Sequence, residues 1–95
     1  MKIAVVEDNR DCASRLERSL KRFQEEYHEP IEIVFFSNGM NFIEDYTADF
    51  DVVFMDIEMP MMDGMEAAKR LREKDREVAI VFLTIMVRHA LFGYE

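Results

Sequence analysis

The chain has 95 residues, 49% of them apolar, and a formal net charge of −8 from 20 acidic and 12 basic side chains. This length allows one domain at most, and the apolar content excludes a disordered chain. The excess of acidic over basic side chains excludes nucleic acid as an expected partner. No apolar run approaches the roughly 18 residues that a membrane helix needs.

The first half of the chain alternates between predicted strands and helices. Residues 3–6 are a short apolar run typical of a strand buried on both faces. Apolar residues at helical spacing then predict one face of an amphipathic helix: Cys12, Leu16, Leu20, Phe23 and Tyr27. Asp8 or Asn9 can cap this helix, and residues 31–36 predict a second strand. A short second helix follows, with the apolar residues Met40, Phe42, Ile43 and Tyr46.

The second half repeats this alternation. Residues 52–55 predict a third buried strand, which is followed by a loop with proline and glycine and by a helix over residues 65–72. Residues 79–83 predict a fourth buried strand, and residues 87–92 predict a fourth helix. Strands that alternate with helices over short connections indicate an α/β fold with a doubly wound parallel sheet.

Three of the predicted strands end on oxygen-bearing side chains, namely Glu7-Asp8, Asp56 and Thr84. In an open parallel sheet the carboxyl ends of the strands meet at one edge, where ligands bind. Carboxylates suit Mg²⁺, and a carboxylate can also act as a nucleophile toward a phosphoryl group. Glu7-Asp8 has a simpler alternative as a helix cap, but two adjacent acids repel each other unless a cation lies between them. Asp56, directly after an apolar strand, is harder to explain structurally.

Three segments carry a family resemblance: Glu7-Asp8-Asn9, the run DIEMPMMDGME over residues 56–66, and Phe82-Leu83-Thr84. With them the chain resembles, over its whole length and in order, the receiver domains of two-component response regulators, which implies a flavodoxin-like fold. The resemblance implies that Asp56 accepts a phosphoryl group from a histidine kinase and that Thr84 binds a phosphoryl oxygen. The implied Mg²⁺ ligands are Glu7, Asp8, Asp56 and the main-chain carbonyl of Glu58.

The resemblance also implies what residues 1–95 lack. The family's fifth strand carries a lysine that pairs with the phosphate, and neither this strand nor the fifth helix has a counterpart here, so we expect one incomplete receiver domain. Ile85 stands where the family usually has a small residue. Without a fifth strand beside it, strand four becomes an apolar edge strand. We therefore expect a dimer or an exchange of elements through strand four or the fourth helix. Residues 67–72 and 88–95 resemble receivers joined to LytTR-type DNA-binding domains, which implies an output domain in the parent protein.

Two alternatives remain open at this point. A metal-dependent aspartyl-phosphate phosphatase is one, although that class places its nucleophile after the first strand. The other is a receiver fragment that cannot be phosphorylated and acts only in protein–protein contacts or dimerisation. We expect a phosphoacceptor that catalyses its own phosphorylation and is not a turnover enzyme.

The lone Cys12 and the lack of a signal peptide fit the cytoplasm. Loop methionines are expected to pack against the core: Met59, Met61 and Met62.

Overall fold

The computed structural model describes residues 1–83 and gives strands that alternate with helices. In chain order the elements are β1 (Lys2–Val6), α1 (Arg10–Tyr27), β2 (Glu32–Phe36), α2 (Gly39–Glu44), β3 (Val52–Asp56), α3 (Gly64–Lys74) and β4 (Ala79–Leu83). The strands form one parallel sheet in the order β2-β1-β3-β4, with β1 and β3 at its centre. The predicted α/β fold is confirmed, while the predicted helix over residues 87–92 lies outside the described residues.

The first helix begins at a side-chain cap. The side-chain oxygen of Asn9 accepts a hydrogen bond from the Cys12 N–H at 3.0 Å, so Asn9 and not Asp8 is the cap of α1. The helix ends at Tyr27 and is capped by His28, whose φ of 53° lies in the left-handed region. Two ion pairs lie along this helix, each between residues one turn apart: Asp11–Arg15 and Glu17–Lys21. Neither α1 nor another helix within residues 1–83 is long and apolar enough to cross a membrane.

The side of the sheet that packs against α2 and α3 is called the closed face here. Its buried cluster consists of Ala4, Val6, Phe42, Ile43, Phe50, Val53, Met55, Met59, Met62, Ala67, Leu71 and Val78. Four aromatic rings contact one another on this face, those of Phe36, Phe42, Tyr46 and Phe50. Phe42 of α2 and Leu71 of α3 are both 0% exposed, so both helices contribute fully buried side chains to this face.

The opposite side, called the open face here, is covered by α1 alone among the described helices. Its buried residues are Ile3, Val5, Leu16 and Leu83, with Leu20, Ile31, Ile33, Val52 and Phe54 partly buried around them. Phe23 and Tyr27 remain 42% and 66% exposed, so the apolar face predicted for α1 is buried only in part. Length explains this, because 18 helical residues span about 27 Å and a five-residue strand about 17 Å. The last turns of α1 therefore extend beyond the sheet.

The outer strands of the described sheet are less buried than the central ones. The register places Phe35, Val5, Phe54 and Val81 in one row on the open face. The outer members of this row, Phe35 and Val81, are 44% and 37% exposed, whereas Val5 is fully buried. The exposure of Val81 departs from a strand buried on both faces and agrees with the apolar edge expected for strand four, because within residues 1–83 this strand has one neighbour.

Asp75 ties the end of α2 to the connection between α3 and β4. Its carboxylate accepts hydrogen bonds from the Tyr46 hydroxyl, from the Glu77 N–H at 2.9 Å and from the Val78 N–H at 3.2 Å. These bonds, with the one from Tyr46 first, hold the pKa of Asp75 below its ordinary value. Burial raises the pKa of Tyr46, and the bond to Asp75 raises it further. Tyr46 lies just past the C-cap of α2 at Asp45 and not within the helix.

Candidate functional site

Three carboxylates meet at the carboxyl edge of the two central strands. Glu7 and Asp8 follow β1, and Asp56 is the last residue of β3. The two strands pair in parallel with Val6 opposite Met55, so they end at the same edge of the sheet. One carboxylate oxygen from each of the three acids lies within 4.8 Å of those from the other two. The structure therefore brings together the three acids that the sequence singled out.

Two of these carboxylates are buried, and the main chain holds both in the same way. Glu7 is 5% exposed and Asp56 is 3% exposed, whereas Asp8 is exposed. The Asn9 N–H donates to Glu7 Oε1 at 3.3 Å, and the Glu58 N–H donates to Asp56 Oδ1 at 3.2 Å. In each case the donor lies two residues beyond the acid, where the chain leaves the strand. These bonds restrain both carboxylates at the sheet edge.

The cluster fits a hard divalent cation. Three negative charges this close repel each other, and the burial of two of them strengthens the repulsion. A cation between them offsets this cost. The three side chains offer only carboxylate oxygens as ligands, and oxygen ligands suit Mg²⁺. Zinc sites, in contrast, are built mainly from nitrogen and sulfur ligands. Asp8 leaves one side of the cluster open to the water ligands that Mg²⁺ usually keeps.

The loop that follows Asp56 packs back onto the main chain of this residue through Gly64. A Cβ atom at Gly64 would lie 2.2 Å from the Asp56 carbonyl oxygen and 2.8 Å from Ile57 Cα. The Gly64 N–H donates to the Ile57 carbonyl at 2.8 Å. From the sequence, this glycine was interpreted as a loop residue within the family motif, and its contact with Asp56 was not predicted because the close approach arises in the tertiary structure. The local signal was Asp63, which caps α3 by accepting the Glu66 N–H at 2.9 Å.

The three methionines of this loop behave differently from one another. Met59 and Met62 are 8% and 7% exposed and pack into the closed face. Met61 is 81% exposed, so the prediction that it packs against the core is wrong. Its φ of 69° is left-handed, which turns the chain sharply before the buried Met62.

A cavity of about 400 Å³ opens next to Glu7 and Asp8 on the β2 side. Its walls include Arg10 and Ser14 of α1 and Phe35 of β2. A small solute can therefore approach two of the three acids from this side.

Thr84 and Glu58 are the two remaining predicted site residues. Thr84 lies outside the described residues, and its assigned role stays a prediction. Glu58 has an exposed side chain that does not join the carboxylate cluster of residues 1–83, and its predicted ligand atom is the main-chain carbonyl. Leu83, which is 2% exposed, lies opposite Asp56 in the register of β3 and β4. The described part of β4 thus ends beside Asp56.

Sequence comparisons place these features in a family. The profile of the response regulator receiver domain matches residues 3–92. The transcriptional regulatory protein NatR of Bacillus subtilis is 32% identical over 99 residues, which cover 100% of this chain and 40% of NatR. The transcriptional regulatory protein FlgR of Helicobacter pylori is 38% identical over 80 residues, 84% of this chain and 20% of FlgR. The response regulator receiver protein CpdR of Brucella abortus is 33% identical over 84 residues, 87% of this chain and 65% of CpdR.

Solved structures agree with this assignment. A chain in the crystal structure of the histidine kinase ThkA in complex with the response regulator protein TrrA superposes with a TM-score of 0.71 at 33% identity, covering 88% of this chain and 68% of that chain. The BeF3-activated receiver domain of DrrB has a TM-score of 0.71 at 23% identity, covering 97% of this chain and 74% of that chain, which shows the shared fold. The chain belongs to the response regulator receiver domain family.

Proposed function

We propose that this chain is a phosphoacceptor switch in which Asp56 receives a phosphoryl group from a histidine kinase in a Mg²⁺-dependent reaction. The observation that carries this proposal is the meeting of Glu7, Asp8 and Asp56 at one sheet edge, with an oxygen from each within 4.8 Å of the others. Asp56 suits the acceptor role because it is the acid that ends a central strand and its carboxylate is restrained by the Glu58 N–H.

The proposed step is an in-line transfer. An Asp56 carboxylate oxygen attacks phosphorus and forms an acyl phosphate, while the bond from phosphorus to the donor imidazole nitrogen breaks and its electron pair stays on that nitrogen. Glu7, Asp8, Asp56 and the Glu58 carbonyl would hold Mg²⁺, which when bound neutralises charge on the transferring group. We assign the Thr84 hydroxyl the role of donating to one phosphoryl oxygen after transfer. The chain is modified by this reaction and does not turn over as an enzyme.

The proposed partners follow from the family. TrrA is a response regulator seen in complex with the histidine kinase ThkA, which supports a kinase as the phosphoryl source. We propose the cytoplasm as the place of this reaction. NatR and FlgR are named as transcriptional regulatory proteins, and this chain spans 40% and 20% of their lengths. An output domain that binds DNA is therefore the proposed target of the switch.

We further propose that the 95-residue chain self-associates or exchanges elements through β4. Val81 is 37% exposed on the open face, and β4 is the outer strand of the sheet formed by residues 1–83. An apolar outer strand offers unpaired N–H and C=O groups to a second chain.

Phosphorylation by a small acyl phosphate such as acetyl phosphate tests the phosphoacceptor role without the kinase. We expect the unmodified chain to take up one phosphoryl group when Mg²⁺ is present and none when it is chelated. Asp56→Asn should abolish the uptake. Asp63→Asn is the matched control, because it removes an exposed acid from the same loop and Asn caps a helix as well as Asp does. Uptake that is independent of Mg²⁺, or equal loss in both variants, would contradict the proposal.

A further inference from the structure

We propose that Gly64 is a positioning residue for the phosphorylation of Asp56. The absence of a side chain at Gly64 lets the first residue of α3 lie directly against the main chain of the acceptor, which fixes where the Asp56 carboxylate stands. This inference rests on the function proposed above and names a residue that acts through another one.

The case for Gly64 depends on space and not on backbone conformation. Its φ lies outside the left-handed region, so an alanine could adopt this backbone without strain. An alanine Cβ would nevertheless lie 2.2 Å from the Asp56 carbonyl oxygen, 2.8 Å from Ile57 Cα and 2.9 Å from the Asp56 carbonyl carbon. Carbon atoms approach such neighbours to about 3.5 Å, so the Cβ would be too close by about 1 Å to the carbonyl oxygen and by about 0.6 Å or more to the two carbon atoms. Only glycine fits the observed arrangement.

Neither partner in this contact can yield easily. All three close atoms belong to the main chain, which has no rotamer through which to escape. Asp56 pairs with Leu83 in the sheet, and both residues are at most 3% exposed. On the other side, α3 is anchored by the buried residues Ala67 and Leu71 and by the Gly64 N–H bond to the Ile57 carbonyl. A side chain at Gly64 must therefore displace either α3 or the main chain of Asp56.

Displacement of Asp56 would change the site and not only the stability of the fold. The carboxylate is restrained through the same stretch of main chain, by the Glu58 N–H at 3.2 Å. Glu7 and Asp8 are attached to β1 and would stay where they are. A shift of about 1 Å at a reacting group can cost about 100-fold in rate. The distance among the three acids, and with it the affinity for a cation, would change as well.

The chain supplies a matched control in Gly39. Both glycines are buried, and each is the first residue of a helix behind a capping side chain, Asn38 for α2 and Asp63 for α3. A Cβ at Gly39 would meet the Met62 carbonyl oxygen at 3.2 Å and Ala67 Cβ at 3.3 Å, which is tight but does not involve Asp56. Gly39→Ala therefore perturbs the same packing of helices and loop without touching the acceptor.

The test compares the unmodified chain, Gly64→Ala and Gly39→Ala in three measurements: labelling by acetyl phosphate at saturating Mg²⁺, Mg²⁺ affinity by calorimetry, and thermal unfolding followed by circular dichroism. We expect Gly64→Ala to lower the labelling rate by at least about tenfold and Mg²⁺ affinity by about tenfold. Gly39→Ala should lower the unfolding temperature and leave both site measurements unchanged. If Gly64→Ala is not folded in dilute buffer, labelling is repeated at low temperature with a stabilising osmolyte, per folded molecule.

Each remaining result overturns one of the two proposals. Labelling of folded Gly64→Ala at the unmodified rate overturns the positioning role, as does an equal loss of labelling and Mg²⁺ affinity in Gly39→Ala. A Gly64→Ala chain that stays unfolded under every condition assigns this glycine to the fold alone and also overturns the role. An unmodified chain that binds no Mg²⁺ and accepts no label contradicts the proposed function itself, which keeps the two failures distinct.

Discussion

The two faces of the sheet differ in how completely the described helices cover them. On the closed face, two short helices meet the sheet with fully buried side chains such as Phe42 and Leu71. On the open face, the longer α1 buries Leu16 and leaves Phe23 and Tyr27 largely exposed. The strands are apolar on both sides, so the difference arises from the covering elements and not from the sheet. Stability within residues 1–83 should therefore depend mainly on the closed face, while the candidate site lies at the edge that both faces share.

The largest predicted effect contrasts two phenylalanines. Phe42→Ala empties a fully buried position on the closed face and should lower the free energy of unfolding by about 3–5 kcal/mol. Phe23→Ala removes a ring that is 42% exposed and lies against the Tyr27 ring, and should cost about 1 kcal/mol or less. Urea unfolding of the two variants measures the difference. Equal losses would show that the two faces contribute alike and would break the comparison.

A smaller effect is predicted for the contact between Tyr46 and Asp75, which ties the closed face to the connection before β4. The pKa of Asp75 is lowered, first by the Tyr46 hydroxyl, so its contribution is present above about pH 4 and is lost as the pH falls through the lowered value. The pKa of Tyr46 is raised, first by burial, so its contribution is present below about pH 10 and is lost as the pH rises further.

Tyr46→Phe should therefore destabilise the chain by a constant amount between about pH 5 and pH 9, less than Phe42→Ala does. The difference from the unmodified chain should shrink at both ends of the pH range. Urea unfolding at a series of pH values measures this, with Tyr27→Phe, at an exposed position, as the control. A difference that grows on acidification would mean that the bond to Asp75 is not its source.

At the edge shared by both faces, Asp8→Asn should act in opposite directions on stability and on metal binding. Removal of one of three close negative charges should stabilise the metal-free chain by up to about 1 kcal/mol, since Asp8 is exposed and water screens it. The same change should weaken Mg²⁺ binding. Thermal melts with and without Mg²⁺ test both effects. A melting temperature of the unmodified chain that does not respond to Mg²⁺ would argue against a cation at this edge.

The smallest predicted effect concerns association through β4, the outer strand of the sheet formed by residues 1–83. We expect the apparent mass of the 95-residue chain in light scattering to rise with concentration, because Val81 is 37% exposed on the strand that is outermost within residues 1–83. Val81→Lys should lower this mass, since a charge on an outer strand opposes pairing. Met40→Lys, at a similarly exposed position on α2, is the control. A compact monomer at high concentration would show that β4 does not mediate association in this chain.

The order of the strands and helices could be predicted because each of them has its own local sequence pattern. The runs of apolar residues predicted the four strands found within residues 1–83, and β4 begins where the sequence placed it, at Ala79. The site acids could be predicted for the same reason, since parallel strands that end in acids must bring them to one edge. The helix α3 extends beyond the predicted residues 65–72 at both ends, because Asp63 caps it one residue earlier and polar residues continue it to Lys74.

What the sequence did not predict depends on distances between elements. The exposure of Phe23 and Tyr27 follows from the unequal lengths of α1 and the strands, which no pattern within the helix contains. The close contact of Gly64 with Asp56 joins two residues whose approach is set by how α3 packs on the sheet. In both cases the sequence shows the residue type, while the environment of the residue is determined by the tertiary structure.

The most direct test of the account is to locate the phosphoryl group by peptide mass mapping after the unmodified chain has reacted with acetyl phosphate and Mg²⁺. The account predicts a single labelled residue, Asp56, at the edge where the two central strands end. Label on Glu7, on Asp8 or on a residue away from this edge would contradict it, because the acceptor would then not be the buried acid that ends β3.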